Sequence, residues 1–330
     1  MLKVIVVGLG PIGLNAAKTV AADKTLKLVG LVDIDPAKIG KSLNELLGAG
    51  KGGPKVVASI ADAAKLGAKV AIVTTSSQFA RVAATLRKCM KHKMHVVSSC
   101  EEMAYPAYLN AALAKKIDAE AKSAKVALLG TGVNPGFVMD YLPVVLSSQV
   151  AKVTGVRAIR RVDAGTRRKP LQAKVGATMT KDQFYSLKAK NAIGHMGIAE
   201  SVALIAAGLG RRVKKGSVKI GLEPLLAEKP IDSLLGRIEK GRVRGMQNTA
   251  HWNGEGLSIE LDLIMALGTK EPYDRIEIDG PVPLKLQIEG GTPGDTATVA
   301  AMINGARVLP TATPGLHTML TIPVCGGGGR

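Results

Sequence analysis

Residues 3–13 read KVIVVGLGPIG, and the fold follows from them. A short Val/Ile run without polar alternation is how a strand buried on both faces of a parallel sheet reads. The run breaks into Gly8-Leu9-Gly10-Pro11-Ile12-Gly13, after which IGLNAAKTVAA carries helical spacing. Glycines in a GxGxxG pattern let backbone amides close on a pyrophosphate, and the start of the helix adds partial positive charge. Alone, the pattern is weak. Here it follows a strand, opens a helix, and is followed by an acid, Asp33, 20 residues after Gly13. That combination specifies a dinucleotide site. Asp33 ends the second strand, in VDIDP, where a carboxylate can accept both ribose hydroxyls; Asp35 reads as the cap of the next helix. An acid at this point repels a 2′-phosphate and favours NAD over NADP, while Lys38, a few residues on, softens the preference. The cofactor is therefore read as NAD or NADP.

Working outward, four more apolar runs, at 26–34, 69–75, 94–99 and 125–130, read as strands. The segments IGLNAAKTVAA, PAKIGKSLNELLG, SQFARVAATLRKCM and PAYLNAALAKKIDAEAKS between them read as helices. Such alternation predicts an α/β fold with a Rossmann-type, doubly wound parallel sheet. Thr74, Thr75 and Ser76 end the 69–75 strand at the edge where ligands bind in such sheets. They are candidates for cofactor contacts or for helix caps.

Beyond Gly130 the pattern changes. GTGVNPGF (130–137) is a Gly/Pro loop, with a helix expected over 138–148 and a long strand over 153–165. SIELDLIMALG (258–268) alternates apolar and polar residues, and NGEG (253–256) reads as the turn joining it to RVRGMQNTAHW. DRIEIDG and LKLQIEG add two strands, and GDTATVAAMINGARVL (294–309) reads as a helix capped by Asp295 or Thr296. The expected organisation is a dinucleotide-binding domain over 1–134, completed by 294–330, and an α+β domain with a mixed open sheet over 135–293. The GGGG tail (326–329) reads as disordered.

The 330 residues are 46% hydrophobic and 22% charged, an ordinary globular mix, and no apolar run is long enough to span a membrane. No signal peptide is read at the start, and Cys89, Cys100 and Cys325 lack metal-site spacing. A cytoplasmic protein without a metal is expected. The net charge is +19, and eleven bases against two acids fall between Lys152 and Lys190. No recognition motif or stacking aromatics accompany that charge, so neither nucleic acid nor membrane is read as a partner.

SSCEEMAYP (98–106) follows the 94–99 strand, at the edge where a nicotinamide would lie. Glu101 and Glu102 therefore border the expected hydride-transfer site. Asn134, in GTGVNPGF after the next strand, offers both donors and acceptors. Together GLGPIG, VDIDPAKIGK, SSCEEMAYP, GTGVNPGFVMD, VDAGTRRKPLQAKVG, GHMGIAES and GDTATVAAMINGARVL resemble the dihydrodipicolinate-reductase-like superfamily. The branch is that of 2,4-diaminopentanoate dehydrogenases and native amine dehydrogenases. The resemblance implies NAD(P)-dependent interconversion of an amine with a ketone or aldehyde plus ammonia, and a homodimer whose second domain binds substrate. It also places substrate contacts in the second domain near His195 and Glu200. One departure is visible: KNAIGHMGIAES (190–201) lacks the paired histidines and lysine of true dihydrodipicolinate reductases, which argues against that reaction.

An alkylammonium, with a pKa near ~10, must lose a proton before its carbon donates hydride. A carboxylate can hold the cation and take that proton, whereas a lysine would repel it. Glu102 is favoured as the acting group, with Glu101 kept beside it, and a helix-start role is the alternative for both. Asn134, Pro135, His195, Arg161 and Thr166 are the substrate-side candidates; Arg161, Thr166 and Arg168 either line the cleft or face solvent. The narrower alternative is 2,4-diaminopentanoate oxidation; a non-catalytic NAD-binding redox sensor is the alternative of another class.

Overall fold

The computed structural model describes residues 1–323, 326 and 327. Cys325 and two of the four tail glycines, Gly328 and Gly329, thus lie outside the described residues. The chain divides into two compact units, residues 1–137 with 293–330, and residues 138–292.

Among the described residues, unit 1 holds a seven-stranded parallel sheet in the order β13-β6-β5-β4-β1-β2-β3. Its strands are β1 (Leu2–Val7), β2 (Leu26–Val32), β3 (Val56–Val57), β4 (Val70–Val73), β5 (His95–Ser98), β6 (Ala127–Gly130) and β13 (Gly315–His317). Most strand residues in the middle of this sheet are buried, as the unalternating runs require. Helices α3 (Ile60–Ala64), α4 (Phe79–Lys91) and α5 (Ala111–Ala124) cover one face. Helices α1 (Pro11–Ala22) and α10 (Gly294–Val308) pack together on the other. The order reverses between β1 and β4, so their carboxyl ends form the switch point where such sheets bind ligands. The Rossmann-type sheet is as expected.

Local expectations fail in three places. Residues 36–48 read as one helix, yet residues 36–40 form turns and only α2 (Leu43–Leu46) is helical. Gly40 takes a positive φ of 83°, and Ser42 starts the helix afresh with a capping box to Glu45. Asp35 therefore caps a turn, accepting from the Ala37 N–H at 2.9 Å. Neither Asp295 nor Thr296 caps α10, whose N-cap is Pro293. His95 opens β5 half-buried, and its Nδ1 accepts from the Ala127 N–H at 3.0 Å. Burial lowers its pKa.

Unit 2 holds a six-stranded mixed sheet, β12-β11-β7-β10-β9-β8. The strands are β7 (Gly155–Asp163), β8 (Lys219–Leu226), β9 (Val243–Gly254), β10 (Leu257–Ala266), β11 (Tyr273–Asp279) and β12 (Leu284–Glu289). Glu255 and Gly256, both at positive φ, make the two-residue turn between β9 and β10, in keeping with the right-handed twist of a hairpin. Helices α6 (Tyr141–Ser147), α8 (Lys181–Ala189) and α9 (Ile198–Gly208) pack on the apolar face, and α7 (Lys169–Lys174) follows β7. The opposite face is polar: Arg157 lies between Glu260 (3.6 Å) and Glu277 (3.7 Å). Inside the sheet, the buried Arg160 pairs with the buried Asp274 at 2.7 Å. Both also hold Thr292, Arg160 through its carbonyl and Asp274 through its N–H, each at 2.7 Å.

Candidate functional site

The loop after β1 is shaped by side chains it lacks. A Cβ on Gly13 would overlap the Gly8 carbonyl oxygen, and one on Gly8, at φ 88°, would press on Thr74 and Thr75. A Cβ on Gly10 would meet nothing, because the space beside it is open. That opening is where a pyrophosphate needs to approach backbone, so the loop fits a dinucleotide. Pro11 supplies the first turn of α1, whose first N–H would lack a partner in any case, and Ile12 follows it. Thr74 braces the loop from β4, its hydroxyl donating to the Gly8 carbonyl at 2.7 Å. Ser76 accepts from the Gln78 N–H at 3.2 Å. The threonine and serine thus have structural bonds and still line a cavity of about 750 Å³. Gly8, Gly10 and Asp33 line the same cavity, which lies within the size range of ligand sites. Pro11, Ile12 and Gly13 shape the loop without lining it.

Asp33 is held more tightly than its position in the sequence suggests. Its Oδ2 accepts from the Leu9 N–H at 2.7 Å and from Lys38 Nζ at 3.0 Å, and its Oδ1 accepts from the Asp35 N–H at 2.9 Å. Burial favours the neutral acid, but the backbone bonds from Asp35 and Leu9, with Lys38, outweigh it and hold the carboxyl below its usual range. A carboxylate has about four lone-pair sites, so the expectation that Asp33 accepts both ribose hydroxyls is too generous.

The turn after β5 is built by side chains. Glu101 and Glu102, both half-buried, open a 3-10 turn over Glu101–Ala104. Glu102 donates its N–H to the Ser77 carbonyl at 3.3 Å, while its Oε2 accepts from the Phe79 N–H at 2.7 Å. Asn110 adds a longer bond to the same oxygen, at 3.4 Å. Gln78, the N-cap of α4, makes no side-chain cap, so the Glu102 carboxylate satisfies the first N–H of that helix from a different loop. Cys100 joins the seam, its Sγ donating to the Ser77 carbonyl at 3.2 Å. Burial, with Glu101 and Glu102 nearby, pushes the Cys100 thiol up to about 12. Gly130, at the end of β6, lets the turn pack close, since a Cβ there would run into the Met103 backbone. On the next loop the Val133 N–H donates to Thr298 of α10 at 3.3 Å, and Asn134 and Pro135 follow, half-buried and buried. Glutamates, Asn134 and nucleotide loop thus share one edge of one sheet.

The remaining candidates belong to unit 2. His195 lies in the turn before α9, its N–H donating to the buried Asn248 Oδ1 at 3.0 Å, and Asn248 in turn donates to the Gly221 carbonyl at 2.8 Å. Glu200 is buried in α9. Arg161 lies over the Tyr273 ring, 5.4 Å from its centroid, on the polar sheet face. Thr166 is exposed and donates its hydroxyl to the Asp163 carbonyl at 3.0 Å. Sequence reading missed Asn248, the capping role of Glu102, and the basic lining of the cavity by Arg81, Lys88, Lys91 and His92. Among the described residues no group of three His, Cys, Asp or Glu is placed to hold a metal ion, and no helix is long and apolar enough to cross a membrane.

Comparison with known proteins follows the same division. Residues 2–100 match the family described as dihydrodipicolinate reductase, N-terminus, and residues 137–327 match the 2,4-diaminopentanoate dehydrogenase C-terminal domain. The chain is 28% identical, over 333 aligned positions, to 2,4-diaminopentanoate dehydrogenase of Acetoanaerobium sticklandii, covering 98% of this chain and 93% of that one. Among solved structures, the amine dehydrogenase from Mycobacterium smegmatis superposes with a TM-score of 0.86 at 23% identity, over 98% of this chain and 97% of the other. The dipicolinate-bound dihydrodipicolinate reductase from Paenisporosarcina sp. TG-14 gives 0.52 at 14% identity, covering 96% and 97%. At these identities the two structures establish likeness of fold.

Proposed function

The chain belongs to the family of the 2,4-diaminopentanoate dehydrogenase C-terminal domain, and on that premise we propose that it is an NAD(P)-dependent amine dehydrogenase. It acts on CH–NH2 groups, interconverting an amine with a ketone or aldehyde plus ammonia. One observation carries the reading: a carboxylate pair, Glu101 and Glu102, stands on the same sheet edge as a loop shaped for a dinucleotide. Gly8, Gly10, Asp33 and the Thr74–Ser76 segment would hold the dinucleotide by its pyrophosphate and ribose, and its nicotinamide, when bound, would supply hydride exchange. The chain supplies the proton chemistry. A carboxylate holds the substrate ammonium, takes the proton that blocks oxidation, and in the amination direction orients ammonia against the carbonyl.

Glu102 spends Oε2 on the start of α4, so we assign it a positioning role as well, and assign proton transfer to the pair, with Glu102 favoured and Glu101 beside it as read from sequence. Asn134, Pro135 and His195 are assigned to the substrate. Arg161 and Thr166 are not, because the first stacks on Tyr273 and the second is bonded to Asp163. The polar face of the six-stranded sheet, with its intermixed Arg157, Glu260 and Glu277, supports a homodimer in which a second copy covers it. The buried thiols of Cys89 and Cys100 support a reducing, cytoplasmic setting.

The match across 98% of the chain supports 2,4-diaminopentanoate oxidation as the narrower alternative. Oxidation of NADH and NADPH with a panel of ketones and aldehydes in ammonium buffer tests the proposal, alongside the reverse assay with simple amines and 2,4-diaminopentanoate. Ammonia-dependent turnover of plain carbonyls is expected. Turnover of the diamino acid alone would narrow the assignment, and dinucleotide binding without any turnover would replace it with a redox sensor.

A further inference from the structure

Asn110 stands at the N-cap of α5 and does not cap it. Asparagine is among the strongest N-cap residues, because its short side chain can accept from the first N–H groups of a helix. The backbone of Asn110 is fixed on both sides. Its N–H donates to the Pro106 carbonyl at 3.0 Å, and its carbonyl accepts from the Ala114 N–H at 2.8 Å. The side chain turns back over eight residues instead, and Nδ2 donates to Glu102 Oε2 at 3.4 Å. Gln78 likewise leaves α4 without a side-chain cap, and the Phe79 N–H donates to that same oxygen at 2.7 Å. One carboxylate oxygen is thus held at the starts of two helices, of 13 and 14 residues.

The simplest account is a staple that closes the 102–110 loop. Its length argues against that account, since 3.4 Å is near the outer limit of a hydrogen bond and such a bond adds little stability. The cap forgone is the stronger local contact. As a second donor on an ionised oxygen, the same amide does more. One donor lets the carboxylate swing about the Phe79 bond, whereas two fix its plane. Among the described residues no hydrogen bond falls on Oε1.

We propose that Asn110 is a positioning residue for proton transfer, holding Oε2 together with the Phe79 N–H so that Oε1 meets the substrate ammonium. This deepens the amine dehydrogenase reading above and rests on it. In oxidation an N–H bond of the ammonium breaks and an O–H bond forms at Oε1. The electron pair stays on nitrogen, available for the C=N bond as hydride leaves carbon. A carboxylate that swings puts Oε1 out of reach, and a misplacement of about 1 Å costs on the order of 10²-fold in rate.

The test sets capping against donation. Asn110→Asp keeps a strong cap residue but puts a like charge beside Oε2, Asn110→Gln keeps the amide donor in a poorer cap, and Asn110→Ala keeps neither. Each is measured for melting midpoint, for NADH affinity by fluorescence, and for kcat and KM with the ketone and aldehyde panel in ammonium buffer. In Asn110→Ala kcat should fall about ten-fold, as for one lost hydrogen bond to a charged group. It should fall further in Asn110→Asp and least in Asn110→Gln, with NADH affinity and carbonyl KM unchanged. Melting should run the other way, with Asn110→Asp above Asn110→Gln. Adding Asn110→Ala to Glu102→Gln should cost no further activity. Wild-type kcat in Asn110→Asp, kcat values that follow the melting order, or a further loss in the double variant each overturn the role of Asn110 and leave the enzymatic reading intact. Full kcat in Glu102→Gln removes Glu102 from proton transfer and the role of Asn110 with it. Absence of ammonia-dependent turnover in wild type overturns the enzymatic reading itself.

Discussion

The loop after β1 and the turn after β5 stand at one edge of one sheet and are built by opposite means. The first owes its shape to missing side chains, so that the Gly8 carbonyl and α1 close on each other across Gly13. The second owes its shape to side chains that reach other loops, Glu102 to the Phe79 N–H and Cys100 to the Ser77 carbonyl. A loop of the first kind fails when atoms are added, and one of the second kind fails when they are removed. Cofactor and chemistry should therefore be separable by mutation.

The harshest way to break that contrast is Gly13→Val, which sets a branched side chain against the Gly8 backbone. Loss of dinucleotide binding by more than 100-fold is expected in fluorescence titration, and retained binding would mean that the loop tolerates atoms after all. Next is Glu102→Gln, with Glu101→Gln beside it; each should keep dinucleotide affinity, and the first should lower kcat by about 10²- to 10⁴-fold, the usual worth of a positioned acid–base group. Full activity in either variant would remove that glutamate from proton transfer. Glu102→Ala should cost about 1 kcal/mol of stability, as lost helix caps do, read as a lower midpoint in urea. Glu102→Gln keeps an acceptor oxygen and should recover most of that loss, whereas an equal loss in both would mean that the charge matters more than the cap.

Smaller effects sharpen the comparison through protons. The Asp33 carboxyl is held below its usual value in the folded chain. Its contribution is thus complete above the unfolded value near ~3.9 and fades as pH falls through the folded one. Asp33→Asn should melt below wild type at neutral pH, with the gap narrowing under about pH 4; a constant gap would argue against the depressed value. The least change is expected at the thiols. Burial pushes Cys89 and Cys100 up to about 12, so in a Cys325→Ser background neither should be alkylated by iodoacetamide at pH 8 until the chain is unfolded.

The same division explains what the sequence could reveal. Gly8, Gly10, Gly13 and Asp33 were legible because a backbone cradle demands those residue types at fixed spacing. The strands of unit 2 were legible from alternation, as in Ile259, Leu261 and Leu263, all buried. The partner of Glu102 lies 23 residues away on a separate loop, and no local pattern announces a cap donated from that distance. The sequence therefore favoured Glu102 as the acting group without showing that it also caps α4. For α2 the signal was present, since Ser42-Leu43-Asn44-Glu45 is a capping box, but the apolar spacing from Pro36 onward suggested an earlier start. The basic residues of α4 read as any solvated helix face, and the cavity beside them distinguishes Arg81 and Lys88 from Arg87, which pairs with Glu120.

Unit 1 is interrupted in the chain, and this has a consequence for biosynthesis. Its sheet takes β13 from residues 315–317 and part of its cover from α10, both of which follow all of unit 2. On a ribosome adding about 5–20 residues per second, the first six strands leave the exit tunnel with one flank bare, while residues 138–292 emerge as an uninterrupted block. The segment translated first should therefore be the last to mature. Nascent chains stalled short of α10 should stay protease-sensitive over residues 1–137, even after the later-made unit has become resistant.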